Sequence, residues 1–231
     1  MLILGMQKTT LLDYPGKVAT TLFTGGCNFR CPYCHNRDLV MPPADVFAYS
    51  MDEIFEHLNK KKKILDGVCI TGGEPTLHRD LPDFISQIKD LGLLVKLDSN
   101  GTNPSMLKSL IDNNLIDYVA MDIKHSKDKY NTIACMKTFD IGPIQESIDI
   151  LMEGKIDYEF RTTIMKECHD SNDMESIGRW LKGAKAYYLQ SYKESEQVIN
   201  PIFSPHSLET LESFVDILKP YIPNTSLRGI D

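Results

Sequence analysis

The stretch VATTLFTGGCNFRCPYCHN, residues 18–36, carries a β-branched, apolar run into two glycines and then into three cysteines spaced C-x3-C-x2-C. The run reads as a strand and the rest as the loop that leaves its carboxyl end. The same pattern recurs outward from it. GVCIT (67–71), LLVKLDS (93–99), YVAMDI (118–123), YEFRTTI (158–164) and AYYLQS (186–191) are five more strand candidates. Segments of helical period lie between them. Ser50 followed by Glu53 is a capping box, Asn103 before Pro104 is an N-cap with proline at the first helical position, and further helices are expected near 142–153, 172–183 and 206–219. Strands and helices in strict alternation require a parallel sheet with right-handed crossovers. Six units averaging roughly forty residues predict an α/β fold, an incomplete (β/α)6 barrel of parallel strands. A doubly wound open sheet is the alternative. No low-complexity or proline-rich linker interrupts the alternation, so residues 1–231 are expected to form a single domain, with 1–17 packed on the barrel as an N-terminal segment.

Composition narrows the function. With 42% hydrophobic residues the chain can bury a full core, and a net charge of −7 argues against a nucleic-acid partner, whose phosphates ask for a basic face. No run approaches the ~18 apolar residues of a membrane helix, and MLILGMQKTT is too short in apolar residues for a signal peptide. A cytoplasmic protein with no membrane partner is expected. Six cysteines in 231 residues are too few and too unevenly spaced for a disulfide framework, and a tight cluster in a reducing compartment binds metal or does redox chemistry.

Four chemistries fit parts of the loop. Cys31-Pro32-Tyr33-Cys34 alone is a C-x-x-C redox pair, and with His35 it is the C-x-x-C-H of haem attachment; both leave Cys27 unused. Structural zinc requires a fourth ligand, for which Cys69, Cys135 and Cys168 are distant candidates, although Cys69 sits inside a strand run and reads as a small buried hydrophobe. A [4Fe–4S] cluster held by three thiolates would leave one iron open to bind something else. In a parallel barrel reactive groups gather at the carboxyl ends of the strands, so the other strand ends belong to the same constellation. They are Thr71-Gly72-Gly73-Glu74-Pro75, Leu97-Asp98-Ser99-Asn100-Gly101, Met121-Asp122-Ile123-Lys124 and Arg161. Each has a plain structural reading as well: turns for the first two, a surface ion pair for Asp122 and Lys124, an outward edge-strand arginine for Arg161.

Taken together these motifs resemble the radical S-adenosylmethionine (SAM) enzymes. The loop is similar to their C-x3-C-x-φ-C signature, with Tyr33 in the aromatic place, and Gly72-Gly73-Glu74-Pro75 to their G-G-E-P motif. The resemblance implies Cys27, Cys31 and Cys34 as [4Fe–4S] ligands and an open iron that chelates SAM. It further implies Tyr33, Gly72, Gly73, Glu74, Asp98, Ser99, Asn100, Lys124 and Arg161 as SAM contacts. CPYCHNRD, LDSNG and D-I-K resemble one subgroup, the activases of glycyl-radical enzymes, and QKTTLLDYPGKVATTLFTGGCNFRCPYCHN extends that likeness to the N-terminus. It implies hydrogen abstraction from a glycine in a C-terminal loop of a large partner, anaerobic ribonucleotide reductase first, with flavodoxin or ferredoxin as electron donor. Alternatives are a pyruvate formate-lyase activase, a small-molecule enzyme such as a deazapurine synthase, and an Fe–S or zinc module without turnover. Asp98 and Asp122, on adjacent strand ends, would repel unless a cation lay between them, so a monovalent cation is expected there. No role attaches to Gln190 or Tyr192, where related activases carry a histidine.

Overall fold

A computed structural model describes residues 1–194, 198–200 and 202–230. All six expected strands are present and neighbour one another in chain order. They are β2 (Ala19–Thr24), β3 (Gly67–Gly72), β4 (Leu94–Ser99), β5 (Tyr118–Asp122), β6 (Asp157–Ile164) and β7 (Tyr187–Ser191). Two more extend the sheet. β1 (Ile3–Thr10) pairs antiparallel with β2, so the N-terminal segment is a strand of the sheet as well as a cover. β8 (Thr225–Arg228) pairs parallel with β7 and makes a seventh parallel strand that the alternation of the sequence does not announce. The order runs from β1 to β8 without β1 meeting β8, which leaves the barrel open.

Among the described residues eight helices connect the strands: α1 (Arg37–Val40), α2 (Met51–Lys61), α3 (Leu81–Asp90), α4 (Pro104–Asp112), α5 (Tyr130–Ala134), α6 (Gly142–Met152), α7 (Ser171–Trp180) and α8 (Leu208–Leu218). The capping box of α2 is formed in both directions, Glu53 N to Ser50 Oγ at 3.2 Å and Ser50 N to Glu53 Oε2 at 2.9 Å. The Asn103 side chain accepts from Met106 N at 3.2 Å at the start of α4. None of these helices is long and apolar enough to cross a membrane.

Strand parity divides the sheet into two chemically different faces. Leu22, Ile70, Leu97, Val119, Phe160 and Leu189 are fully buried on the outer face, where they pack with Ile54, Ile85, Leu110, Ile148, Ile177 and others from the helices. At about 1.5–3 kcal/mol for each large side chain removed from water, this outer layer is the core of the fold. The inner parity is polar. Register aligns Thr21, Cys69, Lys96 and Tyr118 in one row and Asp122, Arg161 and Tyr188 in another. Glu159, with no exposed surface, accepts from Tyr118 Oη at 2.7 Å and from both terminal nitrogens of Arg228, which ties β8 back to β5 and β6. The lumen of the barrel is thus a paired ionic lattice with its open end at the carboxyl ends of the strands.

Candidate active site

At that end lies a cavity of about 290 Å³. Its wall contains Cys27, Cys31 and Cys34 from the loop after β2, Gly72, Gly73 and Glu74 after β3, Asp98, Ser99 and Asn100 from the end of β4, Asp122 and Lys124 after β5, and Arg161 from β6. Tyr33 also lines it, so every site residue read from the sequence faces one space.

The cysteine loop is fixed from three sides. Gly26 O accepts from Glu74 N at 2.8 Å, and Gly73 N donates to Thr24 O at 2.8 Å, so the loop starts on the β3 turn. Asn28 Nδ2 donates to Thr102 Oγ1 and Asn28 Oδ1 accepts from Asn100 Nδ2, both at 2.8 Å, which joins it to the end of β4. Ile199 N and Asn200 N donate to the carbonyls of Cys34 and Pro32 at 3.2 and 2.8 Å. A Cβ on Gly73 would stand 2.0 Å from Gly26 O, a backbone atom that cannot give way. Gly73→Ala is therefore expected to cost about 1–3 kcal/mol and to push the two turns apart. Chemical denaturation reads the first effect and SAM affinity the second.

All six cysteines are free, and Cys69, Cys135 and Cys168 are not among the residues lining the cavity. Cys69 is buried in the lumen beside Asp98 and Lys96, and Cys135 is exposed at the end of α5. The distant fourth ligand that zinc would need is not supplied. Among the described residues no three His, Cys, Asp or Glu side chains are grouped to hold a single ion. Thiols spread over one wall suit a cluster, whose ligands bind separate irons, better than zinc, whose ligands all lie about 2.3 Å from one ion. Burial pushes the Cys31 thiol up to about 12 and raises Cys27, so a metal charge is what would bring them to thiolates.

Glu74 has no exposed surface, and its two oxygens accept from Ser99 Oγ (2.9 Å), Asn100 N (2.6 Å), Thr76 N (3.1 Å) and Thr76 Oγ1 (2.5 Å). It is a strut between the β3 and β4 turns. Burial raises its pKa against the pull of those four donors. Ser99 and Asn100, expected as ligand contacts, are also committed to this lattice: Ser99 Oγ accepts from Gly101 N at 3.1 Å, and Asn100 Oδ1 from Thr102.

Opposite lies the charged floor. Arg161 donates through Nη1 to Asp98 Oδ2 at 3.1 Å and through Nε to Asp122 Oδ1 at 3.1 Å. Lys124 Nζ bonds Asp122 Oδ2 at 2.8 Å, and Lys96, 2% exposed, bonds Asp98. Burial alone would raise Asp122, but Lys124 and Arg161 outweigh it and hold its carboxyl at about 2. Arg161 therefore points inward, not to solvent. Its guanidinium bridges the two carboxylates beside which a monovalent cation was expected, so the protein itself already offsets their repulsion. Turnover should be indifferent to exchanging potassium for sodium or tetramethylammonium at constant ionic strength; a several-fold loss in the organic cation would restore the ion. Lys96 escaped the sequence reading because a lysine inside LLVKLDS passes for an outward position; its place two residues before Asp98, on the same strand face, was the available signal.

The radical SAM superfamily profile matches residues 21–177, which include the cysteine loop and the ends of β3 to β6. The chain belongs to the radical SAM superfamily. It is 32% identical, over its whole length and 97% of the relative's, to a protein of Methanocaldococcus jannaschii named as a glycyl-radical enzyme activating enzyme. It is 30% identical to the pyruvate formate-lyase-activating enzyme of Clostridium pasteurianum over 53% of this chain and 52% of that one. Streptococcus suis SuiB bound to S-adenosylmethionine shares the fold at a TM-score of 0.70 and 14% identity, over 90% of this chain and 52% of SuiB. Membership in the radical SAM superfamily makes the chain an enzyme with a [4Fe–4S] cluster and SAM as cofactors. The three thiols of the cavity fit that cluster, which needs no fourth protein ligand when SAM completes it.

Proposed function

We propose that this radical SAM enzyme activates anaerobic ribonucleotide reductase by removing a hydrogen atom from the α-carbon of a glycine in a C-terminal loop of that partner. The whole-length relative named as a glycyl-radical enzyme activating enzyme supports the class, and the N-terminal likeness over residues 7–36 supports the partner. The observation that carries the reading is the convergence of three cysteine thiols and charged groups of both signs on one cavity. Cys27, Cys31 and Cys34 line it together with Glu74 at the Gly72–Gly73 edge and with Lys124 and Arg161, which pair with Asp122 and Asp98. Groups of both signs suit the ammonium and carboxylate of the methionyl part of SAM.

When bound, the cluster supplies the single electron for reductive cleavage of SAM. The chain's own residues orient and enclose. Cys27, Cys31 and Cys34 would hold the cluster; Gly72 and Gly73 let their turn pack against Thr24 and Gly26, since a Cβ on either would strike that backbone within about 2.6 Å. Lys124 and Arg161 face the carboxylate, Tyr33 the nucleotide, and Ser99 and Asn100 keep Glu74 and the cysteine loop in register. No general acid or base is required, because positioning and exclusion of water are the protein's share of the chemistry. The electron donor in this reading is a flavodoxin or ferredoxin.

The test is anaerobic incubation of the reduced protein and SAM with the anaerobic ribonucleotide reductase, or with the pyruvate formate-lyase, encoded in the same genome. A glycyl radical, whose unpaired electron couples to the one remaining α-hydrogen, should appear as an EPR doublet on the reductase with one 5′-deoxyadenosine per radical. A doublet on the lyase alone would overturn the choice of partner.

A further inference from the structure

Among the described residues, three buried side-chain polar atoms lack a hydrogen-bond partner: Tyr33 Oη, His35 Nε2 and Tyr192 Oη. Buried polar atoms in native proteins are almost always paired, so an orphaned group marks a place where something else binds. The three belong to one aromatic patch. The rings of His35 and Tyr192 are 5.4 Å apart, and Phe203 lies 6.3 Å from Tyr192 and 6.4 Å from Tyr33. Tyr33 is already given to the nucleotide, which leaves His35 and Tyr192.

These two stand at a boundary. His35 lines the active cavity, whereas Tyr192, 1% exposed, lines a second cavity of about 380 Å³ together with Ser191, His206, Leu208, Leu211 and Ile230. Gln190 belongs to the first wall and Ser191, the next residue of β7, to the second. The His35–Tyr192 contact and the end of β7 thus bring residues of the two walls together.

We propose that the His35–Tyr192 pair is the sill over which an extended peptide passes from the second cavity into the active cavity, its main-chain groups bonding Tyr192 Oη and His35 Nε2. The chemistry selects a peptide. A phenol and an imidazole can each donate or accept, and a peptide backbone presents donors and acceptors in alternation. Neither group carries the fixed positive charge that a phosphate or carboxylate would ask for. Leu208, Leu211 and Ile230 offer the second cavity an apolar wall for a side chain flanking the reactive residue. The inference rests on the reading that the substrate is a glycine in a partner chain, and it names the route by which that segment enters.

The test uses the reconstituted enzyme with the anaerobic ribonucleotide reductase of the same genome as substrate, comparing wild type with Tyr192→Phe, which removes only the hydroxyl. Leu208→Arg, at a half-exposed position, obstructs the second cavity without touching the first. Both variants should raise KM for the reductase about fivefold or more, Tyr192→Phe through the loss of one neutral hydrogen bond and Leu208→Arg through obstruction, with kcat and SAM affinity held within about twofold. Unchanged KM in both variants, while the wild type forms the radical, overturns the route alone. A parallel loss of SAM affinity and KM in Tyr192→Phe assigns the hydroxyl to the nucleotide and also overturns it. No radical in the reductase with the wild type overturns the underlying reading and the route together.

Discussion

Replacing any one of Cys27, Cys31 and Cys34 with serine should abolish SAM cleavage, while serine at Cys69, Cys135 or Cys168 should leave iron content near about four per chain. The contrast follows from placement. The first three thiols share the cavity wall; Cys69 is buried among Asp98 and Lys96, Cys135 is exposed at a helix end, and Cys168 packs beside His125, whose Nε2 bonds its carbonyl. With three protein ligands for four irons, none is redundant, so the loss of one leaves two irons without protein ligation and the cluster should fail to assemble. Iron analysis and visible absorbance after anaerobic reconstitution read the assembly; 5′-deoxyadenosine formation reads the consequence, expected to fall at least 10³-fold, about 4 kcal/mol in barrier terms. Serine at Cys69 tests a different property. Burial drives that thiol's pKa strongly upward, and a hydroxyl there keeps a hydrogen-bond donor to Asp98, so stability rather than iron should change. An intact cluster in any one of the three loop variants would refute the ligand assignment.

The strands were legible because the outer face of each had to be apolar to meet the helices, which sets a period of two against the polar inner face. β8 was not, since Thr225–Arg228 is four residues long, and its attachment through Arg228 and Glu159 is an ion pair between positions 69 residues apart. α3 was missed for lack of a side-chain cap, although Pro82 in its first turn marks a start. At the site, residue types at strand ends identified the constellation but not its internal bonding. Glu74 and Asn100 read as ligand contacts, and both are also tied to neighbouring turns by long-range hydrogen bonds such as Asn100 to Asn28, which leave no local pattern. His35 and Tyr192 escaped for the same reason: their contact spans 157 positions, the bonds from residues 199 and 200 to the cysteine loop are likewise long-range, and neither leaves a local pattern.

Arg161 shows most clearly what an ion pair inside the barrel does. Arg161→Gln keeps much of the side-chain volume and some donors but removes the charge between Asp98 and Asp122. Two carboxylates roughly 5 Å apart repel by about 3 kcal/mol at an effective dielectric near 20, and breaking a buried pair costs about 3–5 kcal/mol. A loss of that size in urea denaturation at pH 7 is the expected result. Its pH dependence separates charge from packing. In the wild type the depressed Asp98 and Asp122 contribute stability that is fully present above the unfolded carboxylate value, about 4, and is lost as pH falls toward the folded value, about 2 for Asp122. In the variant Lys96 and Lys124 still face the two carboxylates, but without Arg161 both should titrate closer to the unfolded value, so lowering the pH costs the variant less than the wild type. The gap between the two proteins should therefore be widest at neutral pH and shrink below pH about 4. Adding Asp122→Asn to the variant should recover at least half of the loss at pH 7, because it removes one of the two charges that Arg161 had separated. A gap independent of pH, with no recovery in the double variant, would show that Arg161 acts through packing, and the electrostatic account of the cavity floor would have to be abandoned.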